Sequence, residues 1–132
     1  MGTWGYAAFD NDEASDFVYD LEESEDLSIL TEALAGMIPG GDLELQAPEC
    51  SVAIAAAEVV AALNGRPAPD LPADVAAWAK GKPRPDPRLV AQARQALEAI
   101  LQDSELKELW QENKADFPQW LAGVEDLKRR LG

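Results

Sequence analysis

The sequence contains no histidine and only one cysteine, Cys50. These absences exclude a disulfide within the chain, zinc sites built from Cys and His, and catalysis that depends on imidazole. They leave open a hard cation held by carboxylates, because Mg²⁺ and Ca²⁺ prefer oxygen ligands. We expect no cofactor.

Long hydrophobic runs are also absent. No apolar segment approaches the ~20 residues that a membrane span requires. The opening stretch contains no Lys or Arg and reaches carboxylates by Asp10, which is unlike a secretory signal peptide. We therefore expect a soluble cytoplasmic protein that does not bind membranes.

The first half of the chain lacks basic residues. Residues 1–65 contain 14 Asp and Glu and no Lys or Arg, whereas residues 66–132 contain 11 acidic and 11 basic residues. The entire net charge of −14 therefore lies in the first half. Such a surface repels nucleic acids and attracts basic proteins. We expect a basic protein partner and no direct nucleic-acid binding, while the charge pattern leaves the oligomeric state open.

Helical periodicity dominates the sequence, and no alternating pattern is long enough to indicate a strand. At 132 residues the chain fits one domain covering residues 1–132. We predict an all-α, single-domain irregular bundle of about six to seven helices. The predicted helices cover residues 11–23, 26–38, 48–63 and 73–80, followed by helices that begin at Asp86-Pro87, at Ser104 and at Pro118.

The third predicted helix differs from the others because its apolar residues lie on all sides. From Val52 to Leu63 only Glu58 is charged. A helix that is apolar all round and too short for a membrane is usually the buried centre of a bundle. We therefore place this helix at the centre, with amphipathic helices packed around it.

The block FDNDEASD near the N-terminus is typical of a helix start. With Asp10 as the N-cap, Glu13 falls at the third helical position and completes a capping box, and Phe9 and Ala14 occupy the positions of a hydrophobic staple. Capping explains these residues without a ligand. The aromatic residues Trp4 and Tyr6 are most simply interpreted as pinning the N-terminal segment to the core.

A metal site is the weaker interpretation of the same block, with Asp10, Asp12 and Asp16 as candidate ligands. Capping does not explain why Asp12, Asp16 and Asp20 follow one another at spacing i, i+4. Like charges at this spacing cost roughly 0.2–0.5 kcal/mol per pair. We therefore predict that these three residues, together with Glu23, form a binding surface for a positively charged partner.

Glu58 requires a partner of its own, because an isolated buried charge is costly. We predict that Glu58 is buried and forms an ion pair with an arginine of the second half, with Arg66, Arg88 and Arg94 as candidates. The alternative is a general base or a ligand-binding carboxylate, since perturbed carboxylates cluster at functional sites.

Two further features have structural interpretations. The proline-rich connector 80–88 carries Lys80, Lys82, Arg84 and Arg88, and we expect these residues to be solvated or to face the acidic half rather than to bind phosphate. Cys50 stands at a helix start, which can lower a thiol pKa. A buried, inert cysteine is nevertheless the commoner outcome.

Three segments carry a resemblance to a known family: MGTWGYAAFDNDEASD, AAAEVVAALNGRP and SELKELWQENKADFPQWLAGVEDLKRRL. Together they resemble the bacterial domain-of-unknown-function family numbered four-two-five-nine, and the likeness spans nearly the whole chain. The resemblance implies a single helical domain of bacterial type. It provides no catalytic residue to transfer to this sequence.

Two function classes follow from the residues. The leading hypothesis is a non-enzymatic interaction module that presents its acidic helices to a basic partner. An immunity-type antidote to a basic toxin and an acidic mimic of nucleic acid are its concrete versions. The alternative is a metal-assisted hydrolase that uses Asp10, Asp12, Asp16 and Glu58.

Overall fold

The computed structural model describes residues 5–37 and 44–132, and these contain seven α-helices. The helices are α1 (Asp12–Glu23), α2 (Ser28–Leu34), α3 (Ala47–Leu63), α4 (Ala73–Lys80), α5 (Pro87–Gln102), α6 (Glu105–Glu112) and α7 (Phe117–Leu131). Neither described range contains a β-strand. The prediction of an all-α bundle is confirmed.

Helix α3 lies at the centre, as its apolar sequence predicts. It packs against all six other helices, and ten of its residues are buried. Half of these buried residues are alanines, whose short side chains allow neighbouring helices to approach closely. Burial on every side explains why this helix carries almost no charge.

The two other long helices of the second half, α5 and α7, each bury one stripe of side chains at helical spacing. On α5 the stripe includes Leu89, Ala93, Leu97 and Ile100. On α7 it consists of Trp120, Val124, Leu127 and Leu131. In both helices the buried residues recur every three or four positions along the sequence.

The start of α1 differs from the prediction. Asn11, and not Asp10, is the N-cap: its side-chain Oδ1 accepts a hydrogen bond of 2.8 Å from the backbone N–H of Ala14. This one-residue shift moves Glu13 to the second helical position, so the predicted capping box and hydrophobic staple are wrong. The predicted cap of α6 is confirmed, because Ser104 Oγ accepts from the N–H of Lys107 at 3.1 Å.

Helix α2 is shorter than predicted. The Asp26 carboxylate accepts hydrogen bonds from both the N–H and the hydroxyl of Ser28, and this turn delays the helix start by two residues. The helix ends at Leu34 because Ala35 is extended and Gly36 adopts a left-handed φ of 86°. The predicted end at Ile38 lies outside the described residues.

The start of α3 is held by a residue that is distant in sequence. Glu105 Oε1 accepts a hydrogen bond of 2.8 Å from the N–H of Ala47, and the N–H of Glu105 donates to the carbonyl of Leu45 at 2.9 Å. Helix α6 is thereby fixed to the central helix. On α6 itself Leu109 is 51% exposed.

Candidate functional site: the acidic groove and the Glu58 cleft

The four acidic residues predicted to bind a partner all lie on α1. Asp12, Asp16, Asp20 and Glu23 are exposed. None of them forms an ion pair with any residue in the two described ranges. Their charges are therefore available to a partner.

A groove of about 380 Å³ runs between α1, α2 and the start of α3, and we call it the acidic groove. Its carboxylates come from three helices: Glu13, Asp16, Asp20, Glu32 and Glu49. Apolar side chains share the lining, among them Phe17, Met37 and Val52. The groove therefore offers both negative charge and an apolar surface.

The acidic groove overlaps only in part with the sequence prediction. Asp16 and Asp20 line it, whereas Asp12 and Glu23 lie on the same helix outside its lining. Sequence reasoning missed Glu32 and Glu49, because they join the groove only through the packing of α2 and α3 against each other. No local pattern reports that packing.

Glu58 is buried and forms a bidentate ion pair with Arg130 of α7. Its Oε1 and Oε2 accept hydrogen bonds from Arg130 Nη1 and Nη2, each at 3.0 Å. Arg130 also donates from Nε to Asp126 Oδ2 at 2.8 Å and from Nη1 to the carbonyl of Arg66 at 3.1 Å. One guanidinium thus connects α3, α7 and the segment that follows α3.

The prediction that Glu58 pairs with an arginine of the second half is confirmed, but none of the three named candidates is that arginine. Arg66 contributes only its backbone carbonyl. Helix α7 packs along α3 and carries Arg130 to Glu58 across 72 positions of sequence. Spacing in the sequence cannot reveal a contact of this range.

The electrostatics of this cluster favour the charged forms. Burial lowers the pKa of Arg130, but the hydrogen bonds to Glu58 and Asp126 outweigh it and leave that pKa raised. The hydrogen bond from Arg130 in turn lowers the pKa of Asp126. The cluster is therefore an ionised network, in which Arg130 faces two carboxylates.

The Glu58–Arg130 pair lies in a second cavity of about 360 Å³, which we call the Glu58 cleft. The cleft is bounded by residues 5–11, the connector 68–72 and helices α3, α6 and α7. Asp10 and Asp70 add carboxylates to it. Aromatic residues complete the lining: Tyr6, Phe9, Trp110 and Trp120.

The aromatic residues of the N-terminal segment differ from the prediction. Tyr6 is 46% exposed at the cleft, so it does not anchor the segment in the core. Phe9 performs part of that role, because it packs against the core while partly buried. Trp4 lies outside the described residues.

The residues of the metal and hydrolase hypotheses are not brought to one site. Asp10 and Glu58 line the cleft, Asp16 lines the acidic groove, and Asp12 lines neither. Among residues 5–37 and 44–132, no group of three or more His, Cys, Asp or Glu residues is placed to hold a metal ion.

The basic connector contacts the end of α3 rather than acidic side chains. Arg84 donates from Nε and Nη2 to the side-chain and backbone oxygens of Asn64, both at 3.3 Å. Lys82 Nζ lies 4.8 Å from the centroid of the Trp78 ring, a cation–π distance. These contacts use two of the four cations in structural roles.

Cys50 is buried and free, as expected for a structural cysteine. Burial raises the pKa of its thiol to about 11. The thiolate is the reactive form, so this residue is inert near neutral pH.

Comparison with known proteins gives one match. The model of a family described as "Domain of unknown function (DUF4259)" matches residues 2–123. No curated protein and no solved structure matches the chain. In the described part of the chain, no helix combines the length and apolar character needed to span a membrane.

Proposed function

Because the chain belongs to the DUF4259 family, whose description assigns no activity, we propose its function from its own surface. The protein is a non-enzymatic interaction module that binds a basic protein. The partner contacts the acidic groove together with the exposed carboxylates of α1.

The concentration of unpaired carboxylates on one side of the molecule carries the proposal. Five carboxylates from three helices line the acidic groove, and no described Lys or Arg joins them. Asp12 and Glu23 extend the negative surface along α1. Repulsion among these carboxylates raises the free energy of the unbound protein, and binding of a cationic partner reduces that repulsion.

The apolar part of the lining specifies what kind of basic surface fits. Phe17 and Met37 are nearly buried at the groove, and Val52 is half-buried beside them. A partner that presents Lys or Arg flanking apolar side chains satisfies both the charge and the apolar surface. An immunity-type antidote that binds a basic toxin is one version of this function, and a mimic that occupies a nucleic-acid groove is another.

The test is a pull-down from lysate of the source cell with three baits. The first bait is the wild-type chain, and the second carries Asp12→Asn, Asp16→Asn and Asp20→Asn. The third carries Glu98→Gln, Glu112→Gln and Glu125→Gln, which neutralise three exposed acids of the second half. Both variants change the net charge equally, so they separate local from overall electrostatics.

We expect the wild type and the second-half variant to retain the same basic protein at low salt, and the α1 variant to lose it. The association rate with the purified partner should fall steeply as salt rises, because screening weakens steering. Equal loss in both variants, or binding that is insensitive to salt, would contradict the proposal.

A further inference from the structure

The Glu58 cleft has the size and enclosure of a small-molecule site. Its volume of about 360 Å³ lies within the range of ~300–1,000 Å³ that is typical of ligand pockets. Rigid helices α3 and α7 form two of its walls, and the Glu58–Arg130 pair fixes these walls to each other. The proposed partner surface on α1 and α2 does not use this cleft.

The charge of the lining selects cations. Four carboxylates line the cleft, from Asp10, Glu58, Asp70 and Asp126, against the single guanidinium of Arg130. That guanidinium is already committed, since it donates to Glu58, Asp126 and a backbone carbonyl. Asp10 and Asp70 form no ion pair with any described residue. An anionic ligand would therefore meet net negative charge.

Aromatic rings give the cleft a second property that suits a cation. Trp110 and Trp120 stack with their ring centroids 6.2 Å apart, and both line the cleft together with Tyr6. Aromatic faces attract organic cations and also bury the apolar body that carries the charge. Carboxylates beside aromatic rings distinguish such a ligand from a bare metal ion.

Gly123 lines the cleft at a position where helix packing does not require a glycine. It lies inside α7, where glycine is less favourable than alanine by about 1 kcal/mol. A Cβ added at Gly123 would meet no atom within 4 Å. A side chain at this point of the cleft wall is therefore accommodated without displacing any part of the fold.

We propose that the Glu58 cleft binds a small organic cation, an amine or guanidine carried on an apolar or aromatic body. The ammonium or guanidinium group lies near Asp10 and Asp70, and the apolar body lies against Trp110 and Tyr6. Glu58 and Arg130 are positioning residues that hold the walls. This site is independent of the proposed basic protein partner.

The test compares three probes of similar shape on the full chain by calorimetric titration at neutral pH. Benzylamine carries a positive charge, benzyl alcohol is neutral and benzoate is negative. We expect benzylamine to bind at least about tenfold more tightly than benzyl alcohol, given the strength of cation–π contacts in partly desolvated sites. Benzoate should show no binding.

Two pairs of variants locate the binding. Gly123→Val adds a branched side chain to the cleft wall and should weaken benzylamine binding, whereas Ala122→Val, at an exposed position of the same helix outside the cleft lining, should leave it unchanged. Asp70→Asn should weaken binding roughly tenfold, whereas Asp74→Asn, outside the cleft, should not. Thermal unfolding of each variant verifies that it is folded.

Absence of benzylamine binding to the folded wild-type chain would overturn the proposal. Affinity for benzylamine equal to that for benzyl alcohol would also overturn it, because charge would then play no part. Unchanged benzylamine binding to folded Gly123→Val would place the probe elsewhere and have the same consequence.

Discussion

The acidic stripe of α1 and the buried Glu58 of α3 show opposite relations between charge and fold. On α1, Asp12, Asp16 and Asp20 are exposed and form no ion pair with any described residue. On α3, Glu58 is buried and accepts two hydrogen bonds from Arg130. The first group is spare charge, by which we mean charge that forms no stabilising contact in the fold, whereas Glu58 is part of the structure.

This difference indicates how an acidic half-chain folds. Among residues 5–37 and 44–132, the only acid that enters the apolar centre is neutralised by the basic C-terminal helix, and the other first-half acids of these ranges stay at or near the surface, where water solvates them. Removing Arg130 therefore leaves a buried Glu58 charge that no other described cation compensates. Removing an exposed acid relieves repulsion instead. The predictions below test each side of this contrast.

The largest effect is expected at the buried pair. Arg130→Met should lower the free energy of unfolding by about 3–5 kcal/mol, because it leaves Glu58 buried without a cationic partner. Glu58→Gln should lower it by less, because Asp126 still pairs with Arg130. Urea denaturation near neutral pH measures this loss. The double replacement Glu58→Leu and Arg130→Met should be less destabilising than the sum of Glu58→Leu and Arg130→Met made singly, since it leaves no buried charge without a partner.

Glu44→Gln is the matched control for Glu58→Gln. Glu44 is exposed, and a hydrogen bond and charge repulsion from Glu108 raise its pKa. Its neutralisation should therefore cause no loss of stability at neutral pH. A Glu58→Gln protein as stable as wild type would contradict a structural role for the buried pair.

The next effect concerns the start of α1. Asn11→Ala should cost about 1 kcal/mol, because it removes the side-chain acceptor for the N–H of Ala14. Asp10→Ala should cost less, since the Asp10 carboxylate does not cap the helix. Thermal or urea unfolding of both variants decides between the two residues. A larger loss of stability in Asp10→Ala than in Asn11→Ala would indicate that Asp10 is the cap.

A smaller effect is expected from Asp126 as pH falls. Arg130 lowers the pKa of Asp126, so the stability from this contact is present above the ordinary pKa of the carboxyl. It is lost as pH falls through the lowered pKa of the folded state. Because Asp126 is half-exposed, the contribution is about 0.2–1 kcal/mol. Asp126→Asn should remove this part of the acid dependence, as measured by urea unfolding between acidic and neutral pH.

Most of the fold follows from the sequence, because its helices bury stripes whose period is visible. The positions of Leu97 and Leu127 on their stripes, the cap at Ser104 and the central place of α3 are all predictable. These features depend on residues within a few positions of each other. The N-cap residue of α1 is not predictable in this way, since Asp10 and Asn11 are both good N-cap residues.

The sites are less predictable, because they depend on contacts between distant segments. That Glu58 needs an arginine follows from its apolar surroundings, but the choice of Arg130 requires the packing of α7 on α3. In the same way, the sequence shows Asp16 as a member of an acidic stripe, whereas Glu49 comes to lie beside Asp16 in the acidic groove only when the chain folds. The sequence thus predicts what type of partner a residue requires, but not which residue of the folded chain supplies it.

The most direct test of the central claim is the urea unfolding free energy of the Asp12→Asn, Asp16→Asn and Asp20→Asn variant at low salt. If these carboxylates are spare charge, relief of two repulsive pairs offsets the loss of an acid from the first helical turn. The variant should then lie within about 0.5 kcal/mol of wild type, like the matched variant with Glu98→Gln, Glu112→Gln and Glu125→Gln. A loss as large as that expected for Asn11→Ala, confined to the α1 variant, would show that the fold uses these acids and would contradict the account.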